Sequence, residues 1–217
     1  MRRELAAAAN PERAAVQQRY MKSAMPYYGI DMPEVRVIAR RVFDSTLNCD
    51  ELREIVPAMW REARRREERY VAQILLSARR HLDCLTLRDM PMLEEMVVTG
   101  AWWDLVDELA VVIGEVLRRH PRQMRPLMRR WSTDPNMWKR RVSIICQLKF
   151  KHDTDLELLY ANIEPNLLDR DFFIRKAIGW ALRQYAWTNP REVARYVRAN
   201  ESRLSGLSRR EALKNIG

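Results

Sequence analysis

Glycine is scarce: the chain has 217 residues and 6 glycines. That is too few for the many tight turns of a β-rich protein. No G-x-x-x-x-G-K-[ST] phosphate loop is present. Cysteine is rarer still. Cys49, Cys84 and Cys146 are odd in number and none lies in a C-x-x-C pair. This argues against a disulfide framework and against a zinc site, and it fits a reducing cytoplasm. His81, His120 and His152 are scattered, without H-x-x-x-H or E-x-x-H spacing, so neither a metal nor another cofactor is called for. No serine or cysteine nucleophile motif occurs. No stretch approaches the roughly 18 apolar residues of a spanning helix. The apolar run Ala6 to Ala9 is too short for a secretory signal. The expectation is a cytoplasmic protein with no membrane association.

What is abundant favours helix: arginine, alanine, leucine, glutamate and methionine dominate. Hydrophobic residues reach 47%, enough for a core. Lysine and arginine number 39 against 29 acidic residues, a formal charge of +10. An excess of this sign attracts polyanions and speeds association with them. Nucleic acid is the first candidate partner and an anionic membrane surface the second.

Helical periodicity runs through most of the chain. Over residues 102–119, Trp103, Val106, Ala110, Ile113 and Leu117 recur at spacings of three and four, an apolar stripe on one face. Residues 137–150 and 172–186 repeat the pattern. Ser208 and Glu211 have capping-box spacing and are expected to open a last helix. No strand is evident. Tyr70, Trp103, Trp138 and Phe173, each an aromatic near the start of a helix, are separated by 33, 35 and 35 residues. Further helical stretches fall between them, near 88–98, 121–131 and 154–165. A period of this length with two helices per unit marks a HEAT-like or TPR-like array. The expected fold is all-α: HEAT-like repeats in a curved α-solenoid with a concave face, one domain over residues 1–217.

Four residues after each aromatic stand Ile74, Asp107, Val142 and Ala177. A carboxylate where sister repeats place apolar side chains is costly unless solvated or paired. It marks either a functional group or an ion pair with a neighbouring arginine. Three residues after each aromatic come Gln73, Val106, Arg141 and Lys176; the two cations there suit phosphates. Trp180 lies seven residues after Phe173 on the same helical face. Trp60 and Trp131 are assigned to the core.

The segment from Thr99 to Asp107, with Trp102-Trp103-Asp104 and Val106-Asp107, resembles the WWD-x-VD motif of the AlkD-like DNA alkylation repair family. So do Arg19-Tyr20-Met21-Lys22, Met137-Trp138 with Arg141, Gln147-Leu148-Lys149, the run Phe172 to Trp180, and Leu207 to Ala212. These matches are in order and span most of the chain. The resemblance implies a helical-repeat glycosylase that holds duplex DNA in its concave face and excises N3- and N7-alkylated purines. It places the catalytic aspartate on Asp107, the two lesion-flanking tryptophans on Trp103 and Trp180, a groove arginine on Arg141, and DNA-contacting residues on Tyr20 and Lys22. Lys176 joins them as a phosphate-binding cation from its place in the repeat.

These residue types suit the chemistry. An N3- or N7-alkylated purine is cationic and already a good leaving group. Positive charge then builds on the sugar, where a fixed carboxylate stabilises it electrostatically, and indole faces attract the same cation. The expected partner is double-stranded DNA with alkylated bases, bound by a monomer. The alternatives are a non-catalytic HEAT-repeat nucleic-acid-binding protein and a protein-interaction scaffold.

Overall fold

The computed structural model describes residues 1–43 and 47–216; Gly217, the last residue of the expected domain, lies outside them. The described residues form helices and connecting turns, with no strand among them. The α-helices are α1 (Arg2–Ala7), α2 (Pro11–Met21), α3 (Met32–Val42), α4 (Cys49–Arg61), α5 (Arg66–Ser77), α6 (Arg79–Leu82) and α7 (Met90–Gly100). They continue as α8 (Trp103–Arg119), α9 (Pro121–Trp131), α10 (Met137–Ile145), α11 (Leu156–Ile163), α12 (Phe172–Ala186), α13 (Pro190–Ala199) and α14 (Gly206–Leu213). The chain divides into two compact units, Met1–Met92 and Leu93–Gly217.

The first unit is built on α3, α4 and α5. Val35, Ile38 and Ala39 of α3 pack with Leu5, Ile30 and Val71. The loop entering α3 is held by Glu67, whose fully buried carboxylate accepts the backbone N–H groups of Tyr28, Gly29 and Ile30. A buried carboxylate satisfied this way needs no cation. Gly29 adopts φ 88° there, and a β-carbon would collide with the Asn10 carbonyl oxygen, so only glycine fits.

Cysteine usage is corrected in this unit. Cys49 and Cys84 are joined in a disulfide, 35 residues apart, and Cys146 is free and buried. Parity could not foresee this, because pairing depends on which backbones meet. Arg53 brings these two together: its guanidinium donates to the carbonyls of Cys49 (3.3 Å) and Cys84 (2.5 Å) and to Asp89 (2.8 Å). With a disulfide present, cysteine usage no longer speaks for a reducing compartment.

The second unit is a two-layer array. Helices α8, α10, α12 and α14 pack in sequence as one layer; α9, α11 and α13 follow them as hairpin partners. This is the pairing that the 35-residue period predicts. The elements expected from periodicity are present, although α10 stops at Ile145 rather than 150. Trp60 and Trp131 are buried, 1% and 2% exposed. Ser208 does not cap the last helix. Ser205 does, accepting the Ser208 N–H, while the buried Ser208 hydroxyl donates to the Arg175 carbonyl and ties α14 to α12. A capping-box pattern cannot distinguish a cap from a packed serine three residues later.

The α8–α10 crossing is close enough that Gly114 lies against backbone: an added β-carbon would collide with the Cys146 carbonyl oxygen. Gly114→Ala is therefore expected to destabilise the fold by about 1–3 kcal/mol. Urea unfolding measures this, and an unchanged midpoint would contradict the close approach.

Candidate active site

Three adjacent helices of the second unit begin differently, and the site follows from that. The Asn136 side chain caps α10 by accepting the N–H groups of Trp138 and Lys139. Asp171 caps α12 by accepting those of Phe173 and Ile174. Before α8 the corresponding residue is Trp102, extended at φ −156° and without a side-chain cap. Counted from these residues, Asp107, Arg141 and Lys176 occupy equivalent places, each five residues on.

This shifts the repeat register by one residue at α8. The aromatic that joins Trp138 and Phe173 is Trp102, not Trp103. Its ring centroid lies 6.1 Å from Trp138 and 5.3 Å from Phe173, and those two are 5.1 Å apart. Such tilted contacts add to area burial. The Trp102 Nε1 is buried and meets no acceptor among the described residues. Trp103, the first residue of α8, takes no part in the cluster and is half-buried. It shares a face with Asp107, one turn on.

Asp107 and Arg141 meet directly. Arg141 Nε donates to one Asp107 oxygen and Nη2 to the other, both at 2.7 Å. Nη1 donates to the Phe173 carbonyl at 2.6 Å. The guanidinium is thus clamped between a carboxylate on α8 and main chain on α12, and planar bidentate pairing of this kind fixes geometry. The Arg141 side chain is 5% exposed, whereas Asp107 remains 17% exposed. The ion-pair alternative weighed for Asp107 is therefore part of the arrangement. Burial pushes the Asp107 carboxyl above its ordinary range; Arg141 opposes that shift, and the charge of Asp104 adds to it. The sign for stability follows. The folded state holds this proton more tightly than the unfolded chain does. The contribution is therefore present below the ordinary aspartate pKa and is lost as pH rises through the raised one.

The other expected residues are distributed more widely. Trp180 is half-buried on α12 and shares no hydrogen bond or ring contact with Asp107 or Trp103 among the described residues. Lys176 is paired with Glu211 at 3.0 Å, a carboxylate that Arg183 also holds at 2.7 Å. Tyr20, 76% exposed, and Lys22, the left-handed cap of α2, belong to the first unit. Of the positions three residues after each repeat aromatic, Gln73, Val106 and Arg141 are buried. That face is mostly interior rather than an open row of cations.

A model of the family described as DNA alkylation repair enzyme matches residues 1–216. The chain belongs to this family. DNA is accordingly the substrate class of this repair enzyme, and the helical architecture has solved counterparts. A structure titled "Predicted DNA alkylation repair enzyme from Enterococcus faecalis" is 31% identical, with a TM-score of 0.87 over 96% of this chain and 97% of that one. A second, titled "The Crystal Structure of smu.31 from Streptococcus mutans UA159", is 16% identical with a TM-score of 0.63. It covers 95% of this chain and 98% of its own, and it supports the fold alone. No curated protein matched the repair enzyme.

Two participants escaped the sequence reading. The Phe173 carbonyl, which anchors Arg141, is main chain and carries no residue signal. Trp102 stands beside Trp103 in the sequence, and only the helix start separates their roles.

Proposed function

We propose that this repair enzyme is a DNA glycosylase that excises N3- and N7-alkylated purines from duplex DNA by hydrolysis of the N-glycosidic bond. The observation that carries the reading is the partly open Asp107 carboxylate, held on both oxygens by an arginine that is itself anchored. In the reaction the C1′–N bond breaks and its electron pair leaves with the purine, discharging the base. The sugar becomes oxocarbenium-like. Asp107, preorganised and poorly solvated, stabilises that charge without reorganising. Water then adds at C1′ and gives up a proton, which Asp107 is placed to accept or to direct. Trp103 and Trp180 flank the cationic nucleotide. Arg141 orients Asp107, and Tyr20, Lys22 and Lys176 contact DNA, with Lys176 exchanging Glu211 for phosphate. The chain works as a monomer, with both units forming one glycosylase domain in the cytoplasm.

Chromatography of bases freed from N-methylated duplex tests this. Release of methylpurines supports the reading. Tight binding without release of any base supports the alternative, a non-catalytic nucleic-acid-binding protein, in which the Asp107–Arg141 pair serves the fold.

The pH profile gives a second check. Asp107 acts as the anion, so the rate is expected to rise with pH through a pKa above the ordinary aspartate value of 3.8, because burial raises it. Single-turnover rates between pH 4 and 8 measure this. A rate flat to pH 4 would exclude Asp107 as the acting anion.

A further inference from the structure

The repair enzyme has a cleft of about 370 Å³ in its second unit that the proposed reaction does not use. It shares α10 with Arg141 and α12 with the Phe173 carbonyl that Arg141 holds. Ile144 in its wall is three residues beyond Arg141 on α10, and Gln184 is four beyond Trp180 on α12. Each step is about one helical turn, a rise of roughly 5.4 Å. The volume is at the lower end of the roughly 300–1,000 Å³ typical of ligand sites, the size of a single nucleotide.

The lining has three kinds of surface. Ile144, Leu148, Leu159 and Ala181 are buried and give an apolar floor. Tyr185 and Trp187 present aromatic faces, and Trp187 is 72% exposed, an unusual position for an indole in a chain that buries Trp60 and Trp131. Lys151 and His152 line the same cleft, and neither has an acidic partner among the described residues. Arg118, Arg125, Lys139 and Arg140 of the same unit, by contrast, are each paired with carboxylates.

The segment carrying Lys151 and His152 is held in place. Lys151 takes a left-handed φ of 53°, uncommon outside glycine. Gln147, 5% exposed, grips the end of the segment through its amide, donating to the Asp155 carbonyl at 3.1 Å and accepting the Asp155 N–H at 2.8 Å. The Thr154 hydroxyl donates to the Lys151 carbonyl at 2.8 Å. Gln147 is thereby occupied. Gln184, also lining the cleft, keeps its amide unbonded among the described residues.

We propose that this cleft is a nucleotide subsite, which takes one unstacked nucleotide of a DNA strand alongside the repair site. The base lies against Trp187 and Tyr185 over the apolar floor, the Gln184 amide meets a base edge, and Lys151 with His152 holds the phosphate. An aromatic face open to solvent binds a base only when that base has left its stack, which selects an unpaired nucleotide rather than one within a duplex. The proposal rests on DNA as substrate and extends the glycosylase reading to a neighbouring contact.

Photocrosslinking tests it. A short single strand carrying 5-iododeoxyuridine is irradiated with the full-length protein and the adduct mapped by mass spectrometry; an adduct on Trp187 or Tyr185 is expected. In titrations Trp187→Ala is expected to weaken single-strand binding roughly 5- to 100-fold. Lys151→Ala should reduce the salt slope by about 0.7. Deoxyadenosine monophosphate is titrated in parallel: binding as tight as the strand's would identify free nucleotide as the occupant, and much weaker binding would identify the strand. Thermal melts confirm that each variant is folded. No adduct in the cleft, with wild-type affinity in both variants, overturns the subsite. Base release from methylated duplex is measured on the same preparations. Release with an inert Trp187 leaves the glycosylase reading standing and removes the subsite; a Trp187 adduct without release does the reverse.

Discussion

Asp107→Asn is expected to lower base release from methylated duplex by about 100- to 1,000-fold while DNA affinity changes by less than about threefold. The size follows from removing one preorganised electrostatic contact to a developing charge in a poorly hydrated site, worth about 2.7–4 kcal/mol. Asparagine keeps the shape and one acceptor for Arg141 but removes the negative charge. Affinity is expected to change little because phosphate contacts dominate DNA binding and the substrate's positive charge is still on the base; in the transition state that charge has moved to the sugar and loses the group opposite it. The loss should therefore appear in single-turnover rates rather than in affinity. Arg141 is nearly buried, so the variant also leaves a guanidinium short of its counter-ion, and a lower melting temperature is expected alongside. Retained DNA binding at the assay temperature separates chemistry from unfolding. If the variant frees methylpurines at the wild-type rate, Asp107 is a structural ion-pair partner and the catalytic assignment fails.

The second large effect is expected at Arg141. Arg141→Ala removes all three donors that hold Asp107 and the Phe173 carbonyl. It leaves an uncompensated carboxylate in a mostly buried place, a loss of about 3–5 kcal/mol in stability. The same change removes the influence that holds the Asp107 pKa down, so burial acts unopposed. The acid limb of the rate profile then moves to higher pH. Because the alanine variant risks unfolding, Arg141→Lys carries the mechanistic weight. Lysine keeps the charge but is a point donor that cannot grip both oxygens and a carbonyl in one plane. It is expected to remain folded and to lose roughly 10-fold in rate, on the order of 1.4 kcal/mol of transition-state stabilisation, with the pH limb displaced. A folded Arg141→Lys variant with the wild-type rate and pH limb would show that orientation of Asp107 by Arg141 is immaterial.

Both expectations depend on a neighbourhood only partly legible in the chain. The apolar spacing along α8 and α12 specified those helices, and the recurrence of aromatics near 35 residues specified their stacking, because a helix pair that buries one face must repeat its apolar pattern at each turn of the array. Asp107 stood out as a carboxylate among apolar counterparts only in the register read from the aromatics; counted from the helix starts, its counterparts are Arg141 and Lys176. The choice between Trp102 and Trp103 did not stand out, since adjacent tryptophans differ only in which one precedes the helix. The extended backbone of Trp102 turns its ring into the Trp138–Phe173 cluster. The capping role expected of Ser208 failed although its spacing to Glu211 made it the better cap in sequence: Ser208 packs on the Arg175 carbonyl, and Ser205 caps the helix instead.

Composition and periodicity alone determined that this protein is helical, repetitive and basic, and the ordered motifs alone pointed to DNA alkylation repair, because these properties reside in residue identity and spacing along one chain. Tertiary structure decided which groups face one another. Asp107 lies 34 residues from Arg141, and Arg141 lies 32 from the carbonyl that anchors it; Cys49 meets Cys84 across 35. The first two contacts join neighbouring helices of the array, and the third joins α4 to the turn after α6; whether side chains meet in this way depends on helix start, rotation and burial, quantities that packing of the whole layer sets and no local segment contains.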